Sequence, residues 1–299
     1  AVNPRDANHL LAAWQQDRWS NGSARGVVTA ASFDGGRTWT RSPLPFSRCG
    51  GGSAGTGGNF ERATDPWVSF GADGTAYAMG LATTGGSFAA GSVNAMLVSR
   101  SPDGGRTWGN PAALVTDTAP FFHDKNTITA DPHDARFAYA VWDRVRQGGP
   151  SPSIFTRTTD RGATWEPARV VFEPGAGSQT IGNLVVVLPD GTLVNLFAHL
   201  ESGASGNSLK VIRSSDRGAT WSDATKIADL LSIGARDPRS GAGIRDGAII
   251  PQAAVGPDGT MHVVWQDARF SGGARDEIAH SRSTDAGLTW STPVRVNAP

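Results

Sequence analysis

Short apolar segments alternate with turn residues along the whole chain. Trp67-Val-Ser-Phe70 and Ala76-Tyr-Ala-Met79, for example, flank the turn Asp73-Gly74-Thr75. Short apolar runs bounded by Gly, Asp and Thr are typical of β-strands joined by hairpins. The same turn recurs at Asp190-Gly191-Thr192 and Asp258-Gly259-Thr260, with a variant at Asp131-Pro-His-Asp134. The pattern predicts an all-β fold of antiparallel strands.

One octapeptide, (Ser/Thr)-x-Asp-x-Gly-x-Thr-Trp, occurs at residues 32–39, 101–108, 158–165, 214–221 and 283–290. Its Asp residues, at positions 34, 103, 160, 216 and 285, are 69, 57, 56 and 69 residues apart, which leaves room for a four-stranded sheet per repeat. The carboxylate can accept backbone N–H bonds, the Gly allows positive φ, and the Thr hydroxyl closes the turn. We expect each copy to join the third and fourth strands of a sheet. We also expect its Trp (Trp39, Trp108, Trp165, Trp221 or Trp290) to be largely buried against that sheet.

The octapeptide resembles the Asp-box, or bacterial neuraminidase repeat, of the sialidase superfamily, over nearly the whole chain. The resemblance implies an all-β, sialidase-like β-propeller of four-stranded antiparallel blades, in which the five Asp residues are structural. We expect one domain over residues 1–299, with blade units at about residues 1–47, 60–115, 121–172, 178–230 and 245–299. Sialidases with this box have six blades, so the chain is either five-bladed or six-bladed with the sixth blade missing.

Charge and composition exclude several classes of partner. The chain has 27 Lys and Arg and 27 Asp and Glu, so no basic field would attract nucleic acid or an anionic membrane. Cys49 is the single cysteine, which excludes an internal disulfide and a cysteine metal cluster. The first ten residues lack the pattern of a signal peptide, and a mature secreted or extracellular protein fits the resemblance. We expect a monomer with no cofactor, no metal and no nucleic-acid or membrane partner.

Candidate site residues lie at the opposite end of the predicted sheets from the octapeptides. In a meander, that end holds the start of the first strand and the loop between the second and third strands, where binding residues concentrate. Mixed Arg and Asp can clamp a carboxylated sugar and supply a general acid. The alternative is that neighbouring Asp–Arg pairs clamp the blades together. The candidate general acids are Asp124, Asp65 and Asp246, and the candidate substrate-binding residues are Arg62, Lys125, Arg245, Arg144 and Arg269.

The resemblance implies an arginine triad, a Tyr nucleophile activated by Glu and an Asp acid/base. Tyr77 and Tyr139, however, share a repeat position with Val194 and His262, which indicates packing, and Phe60-Glu-Arg62 departs from the family's Phe/Tyr-Arg-Ile-Pro signature. We therefore expect a sialidase-like propeller that binds a glycan or other anionic small molecule on its axial top face, without exo-sialidase turnover. Hydrolysis of a glycosidic bond is the leading enzymatic hypothesis. The alternative is a non-catalytic binding or scaffold propeller.

Overall fold

The computed structural model describes residues 1–202 and 206–297 and divides the chain into two compact units. One unit comprises Ala1–Gly148 and Ser153–Val171, and the other comprises Gly149–Pro152 and Phe172–Pro299. Antiparallel sheet dominates both units, and helix in the described residues is limited to three single 3-10 turns at Arg48–Gly50, Ala54–Thr56 and Arg269–Ser271. The all-β prediction is confirmed. Nothing helical in the described part of the chain has the length and hydrophobicity to span a membrane.

The first unit contains three four-stranded meanders, whose strands we call A to D in chain order. A single bridge between Ala24 and Ala63 joins the first two meanders at their edges. We nevertheless call each four-stranded meander a sheet and number the sheets in chain order. The strands of the first are β1 (Val2–Asn3), β2 (Asp6–Arg18), β3 (Ala24–Ser32) and β4 (Thr40–Pro43). Those of the second are β5 (Arg62–Phe70), β6 (Ala76–Thr84), β7 (Val93–Ser101) and β8 (Ala112–Thr118). Those of the third are β9 (Phe121–Ala130), β10 (Ala138–Arg146), β11 (Ser153–Thr158) and β12 (Arg169–Phe172).

The second unit contains two more meanders of the same kind. The strands of the fourth are β13 (Gln179–Val187), β14 (Leu193–Leu200), β15 (Ser208–Ser214) and β16 (Thr225–Asp229). Those of the fifth are β17 (Gln252–Val255), β18 (Met261–Asp267), β19 (Glu277–Ser283) and β20 (Val294–Arg295). The described residues of the chain thus form five consecutive meanders. The bounds of the blade units, the blade count and the single-domain boundary stay predictions.

Packing between neighbouring sheets forms the core of the first unit. Met79 of β6 packs in one apolar cluster with Ile128 and Trp142 of the third sheet. Ala78 of β6 packs in another cluster with Phe46, next to the first sheet. Both faces of β6 are therefore covered, which explains why its sequence is almost continuously apolar instead of alternating. Burial of a side chain such as Met79 stabilises the fold by about 1.5–3 kcal/mol.

The octapeptides form the turns between strands C and D, as predicted. In the second copy, Thr107 donates to Asp103 twice, from its backbone N to Oδ1 at 2.9 Å and from its hydroxyl to Oδ2 at 2.6 Å. The Ser101 hydroxyl donates to Asp103 Oδ1 and accepts from Gly105 N, both at 2.7 Å. Gly105 has a φ of +97°. The other four copies repeat these bonds within about 0.1 Å.

The tryptophans of the octapeptides are less buried than predicted. Trp39 is 44% exposed, and Trp108, Trp165, Trp221 and Trp290 are half-buried. Trp108 also contacts a different sheet, because its Nε1 donates to Thr29 Oγ1 of β3 at 2.9 Å. The prediction of largely buried rings on their own sheets was wrong. A C–D turn projects beyond the end of its sheet, so one face of the indole is left to solvent or to a neighbouring sheet.

Candidate functional site

Strand A carries a bulge near its start in the second, third and fourth sheets. The register of pairing with strand B shifts there in β5, β9 and β13. The bulged residues are Asp65 with φ +50°, Lys125 with φ +48° and Gly182 with φ +71°. Glycine adopts this conformation without strain, whereas a charged residue does so at a cost. Strained polar residues on bulges cluster at functional sites. Asp65 and Lys125 are therefore the residues of these bulges that we consider as candidates for function.

Asp65, Asp124 and Lys125 converge in the first unit, and we call the two carboxyls the acidic pair. Asp65 Oδ1 accepts from Thr64 Oγ1 at 2.8 Å and from Gln15 Nε2 at 3.3 Å. Asp65 Oδ2 lies 3.6 Å from Lys125 Nζ. The carboxyl of Asp124 is close enough to that of Asp65 for their charges to interact, and its Oδ1 accepts from Lys125 N at 2.9 Å. Two of the three candidate acids thus share one site, with a candidate substrate-binding lysine beside them.

Burial raises the pKa of Asp124 above its usual range. The positive charge of Lys125 opposes this effect, and the neighbouring Asp65 charge adds to it. Two adjacent carboxyls cannot both ionise easily, so one proton is held between them. Asp124 therefore keeps a proton at a pH where an exposed aspartate is ionised, as a general acid requires.

The interaction between the two carboxyls limits the chemistry. Glycosidases with two catalytic carboxylates give them separate roles, one as general acid and the other as nucleophile or base. In the acidic pair, the charge of Asp65 instead helps to keep Asp124 protonated. The acidic pair can therefore act as one acid, and a nucleophile or base would have to come from another group.

Arg62 is held by the first sheet more than the sequence indicated. Its Nη1 donates to Asn21 Oδ1 at 2.8 Å and to Gly22 O at 3.0 Å, in the loop between strands B and C. Its guanidinium lies 4.6 Å from the centre of the Trp19 ring. Glu61 Oε1 is 3.5 Å from Arg62 Nε, but without hydrogen-bond geometry. These contacts favour the alternative in which an arginine clamps two sheets.

Arg144 also belongs to a structural cluster. Its Nε donates to Asp117 Oδ2 at 2.9 Å, and its guanidinium lies 3.8 Å from the centre of the Phe121 ring. His123 is buried and accepts at Nδ1 from Trp142 Nε1 at 2.9 Å, while its Nε2 faces Asp117 Oδ2 at 3.1 Å. Burial lowers the pKa of His123 to about 4, so this imidazole is neutral near pH 7. Sequence reasoning gave no signal for the contact with Asp117.

The candidates in the second unit have environments that differ from that of the acidic pair. Arg269 donates from Nε and Nη2 to the two oxygens of buried Asp267, both at 2.8 Å. Asp246 is exposed and accepts from Ala235 N at 2.5 Å. Backbone hydrogen bonds, Ala235 first, lower the pKa of Asp246. Because its ionised form is favoured, Asp246 is unsuited to be a general acid. Its neighbour Arg245 is exposed.

Tyr77 and Tyr139 pack in the interior, as predicted, with exposures of 1% and 0%. Neither is placed to act as an accessible nucleophile. Within the described ranges 1–202 and 206–297, no group of three or more His, Cys, Asp and Glu side chains could hold a metal ion.

Sequence reasoning missed Gln15, which contacts Asp65 from strand B of the first sheet. The alternation of side chains along β2 places Gln15 and Gln16 on opposite faces. The sequence shows this alternation, but which face meets Asp65 depends on how the neighbouring strands pack.

No protein-family model matches the chain. A xyloglucanase from Paenibacillus sp. is 30% identical over 176 residues, which are 55% of this chain and 16% of that enzyme. The chain thus spans about a sixth of the length of this curated relative.

Solved structures resemble a much larger part of the chain. An α-L-arabinanase from Penicillium chrysogenum has a TM-score of 0.63 at 16% identity and covers 99% of this chain and 79% of its own. An α-L-arabinofuranosidase from Fusarium graminearum has a TM-score of 0.56 at 15% identity, with 100% and 85% covered. A sialidase from Trypanosoma rangeli has a TM-score of 0.55 at 15% identity, with 94% and 45% covered. Together with the octapeptide turns, these likenesses show that the chain has a sialidase-like β-propeller fold.

Proposed function

We propose that this propeller acts on a glycan and hydrolyses a glycosidic bond, with Asp124 as the general acid. The observation that carries the proposal is the acidic pair, in which the half-buried carboxyl of Asp124 has a raised pKa and interacts with a second carboxyl and with Lys125. Such perturbed groups are concentrated in active sites. The likeness to a xyloglucanase, an arabinanase and a sialidase supports a sugar substrate. A polymeric glycan substrate would also fit a secreted protein.

In this mechanism Asp124 donates its proton to the oxygen of the leaving sugar as the glycosidic C–O bond breaks, and water adds to the anomeric carbon and loses a proton to solvent. The backbone N–H of Lys125, 2.9 Å from Asp124 Oδ1, stabilises the carboxylate that forms. The negative charge of Asp65 favours the protonated form of Asp124 before transfer, and Lys125 Nζ lies 3.6 Å from Asp65 Oδ2. Lys125 is the first substrate-binding candidate, because 26% of its side chain is exposed beside the acid.

The proposed substrate is a neutral glycan, although a clamp for an acidic sugar was also a candidate. Arg62 already donates to Asn21 and Gly22, and Arg144 is paired with Asp117. Recognition of a carboxylate by a bidentate arginine needs a free pair of N–H groups, and these contacts reduce their number. The 30% identity to a xyloglucanase supports the same preference.

The test measures release of reducing sugar from xyloglucan, linear arabinan and sialyllactose by the wild-type chain and two variants. Asp124→Asn should lower the rate on the accepted substrate by about 100-fold or more, because general acid catalysis is removed. Asp246→Asn is the matched control, since Asp246 was also a candidate acid but is exposed and ionised, and the rate of this variant should be unchanged. Full turnover by Asp124→Asn would exclude Asp124 as the acid.

The second candidate function is a non-catalytic glycan-binding propeller. It is favoured by the interaction of Asp65 with Asp124, because the two carboxyls together supply one acid and the pair contains no separate nucleophile or base. Calorimetric binding of an oligosaccharide that the wild-type chain never cleaves would support this alternative over hydrolysis.

A further inference from the structure

A cavity of about 480 Å³ lies in the first unit, away from the acidic pair. Its walls come from strands B and C of the second sheet and from the second and third octapeptide turns, and they include Tyr77, Val98, Arg100, Trp108, Asn110 and Trp165. In a meander, the C–D turns lie at the opposite end of the sheet from the start of strand A. The cavity is therefore separate from the proposed active site, and its volume is in the usual range for small-molecule sites.

The repeats provide an internal comparison for the hydroxyl at the cavity wall. Tyr77 and Tyr139 occupy the same position of strand B in the second and third sheets. Tyr139 Oη donates to Asp131 Oδ2 at 2.8 Å. Tyr77 Oη is buried and has no hydrogen-bond partner. Burial raises the pKa of Tyr77 to about 12, so the hydroxyl remains a donor, and leaving it unpaired is costly unless a ligand accepts from it.

A second comparison concerns the arginine at the end of strand C. Gly109 N donates to Arg100 O at 2.9 Å, and Glu166 N donates to Arg157 O at 3.0 Å, so the two pairs occupy equivalent positions. In the third sheet, Glu166 Oε1 pairs with Arg157 Nε at 2.9 Å. In the second sheet, glycine leaves that space open, and Arg100 donates from Nη1 to a backbone oxygen, Arg161 O, at 2.9 Å. The second repeat thus lacks the carboxylate that fills this place in the third.

Two half-buried indoles at the cavity favour a ligand with a flat apolar face, such as a sugar ring. Trp108 and Trp165 project from successive octapeptide turns and leave part of each ring accessible at the cavity. The apolar C–H face of a sugar ring can lie against an indole, while its hydroxyls exchange hydrogen bonds with groups around the rim. Tyr77, Arg100 and Asn110 supply such groups.

We propose that this cavity is a second carbohydrate-binding site, which holds one neutral sugar unit between Trp108 and Trp165 with Tyr77 donating to one of its oxygens. The ligand class rests partly on the glycan-acting function proposed above. A site at this end of the sheets would anchor a polysaccharide chain without taking part in its cleavage.

The test uses protein labelled with ¹⁵N at tryptophan and titrated with cellotetraose. Saturable shifts of the Trp108 and Trp165 indole signals are expected. Tyr77→Phe removes only the hydroxyl and should weaken binding about fivefold, the value of one hydrogen bond. Gly109→Glu introduces the side chain found in the third repeat and should weaken binding by more than tenfold. A Cβ at Gly109 would meet Arg100 O at 3.4 Å, an ordinary contact.

Two controls separate binding from folding and from catalysis. Ser222→Glu places a glutamate at the equivalent position of the fourth sheet, where Ser222 N donates to Arg213 O at 2.8 Å, and should leave the shifts intact. Asp124→Asn should also leave them intact while it removes turnover. Absence of shifts in Trp108 and Trp165, or equal binding by Gly109→Glu and the wild type, would overturn the second site. Loss of turnover in Asp124→Asn with unchanged indole shifts would support a second site that is separate from the catalytic one.

Discussion

Aspartates have opposite protonation behaviour in the octapeptide turns and in the acidic pair. Within the turns, the hydroxyl of the following threonine is the main cause that lowers the pKa of Asp34, Asp160 and Asp285 to about 2. At Asp103 partial burial acts in the other direction, yet hydrogen bonds from Thr107 and Ser101 still lower the pKa to about 2. At Asp124 burial dominates and raises the pKa.

The difference follows from where the partners come from in the chain. A turn aspartate is surrounded by donors within four residues, all present in the octapeptide, so its charge is stabilised wherever the motif occurs. Asp124 has Lys125 next to it, but its neighbour Asp65 lies in another sheet and brings a second negative charge. Local sequence stabilises the ionised form in the turns, and tertiary packing stabilises the protonated form in the acidic pair.

Substitution of the octapeptide tryptophan Trp108 should give the largest change in stability, because its ring contacts a neighbouring sheet. The equivalent Trp39 provides the comparison. Trp108→Ala should lower the free energy of unfolding by about 2–4 kcal/mol, since the ring packs on two apolar clusters and bonds Thr29. Trp39→Ala should cost less than about 1 kcal/mol, because this residue is 44% exposed and so loses less packing. Urea unfolding followed by circular dichroism measures both. Equal losses would show that the contact with the neighbouring sheet contributes nothing.

Removal of a turn carboxylate should have an intermediate effect. Asp103→Ala deprives Thr107 N and two hydroxyls of their acceptor and should cost about 1–2 kcal/mol in urea unfolding at pH 7. Turnover at the acidic pair should be unaffected when measured below the unfolding transition. A loss of activity from the folded variant would contradict the purely structural role of the turn.

Acidification should weaken the turns. Since the pKa of Asp103 is about 2 in the folded protein and about 4 in an unfolded chain, its contribution to stability is complete above pH 4 and is lost as the pH falls towards 2. The wild type should therefore lose stability over this range more steeply than Asp103→Ala. Parallel pH profiles of the urea midpoint would refute the linkage.

The acidic pair should respond to pH in the opposite direction, and with the smallest change. Because the pKa of Asp124 is raised in the folded state, its contribution to stability is present at acidic pH and is lost as the pH rises through that pKa. Asp124→Asn cannot ionise, so it should be at least as stable as the wild type at neutral pH, with an advantage that shrinks on acidification. A variant that is less stable at pH 7 than the wild type would show that the ionised form is well accommodated.

The sequence by itself determined the elements that depend on local contacts. The octapeptide contains every donor and acceptor of its turn, so its position between strands C and D could be predicted from the pattern. The alternation of short apolar segments and turns likewise predicted four-stranded sheets. The equivalence of Tyr77 and Tyr139 to apolar positions in other repeats correctly indicated that both tyrosines are packed.

Tertiary structure alone decided which charged residues act together. Asp65, Asp124 and Gln15 lie on three different meanders, so their convergence depends on how the meanders pack, and Arg144 pairs with Asp117, 27 residues away in the sequence. The exposure of the octapeptide tryptophans also depends on the neighbouring sheet, which no eight-residue motif encodes. A pattern in sequence specifies contacts within a turn or a strand pair, but the burial and pKa of a carboxyl depend on every sheet around it.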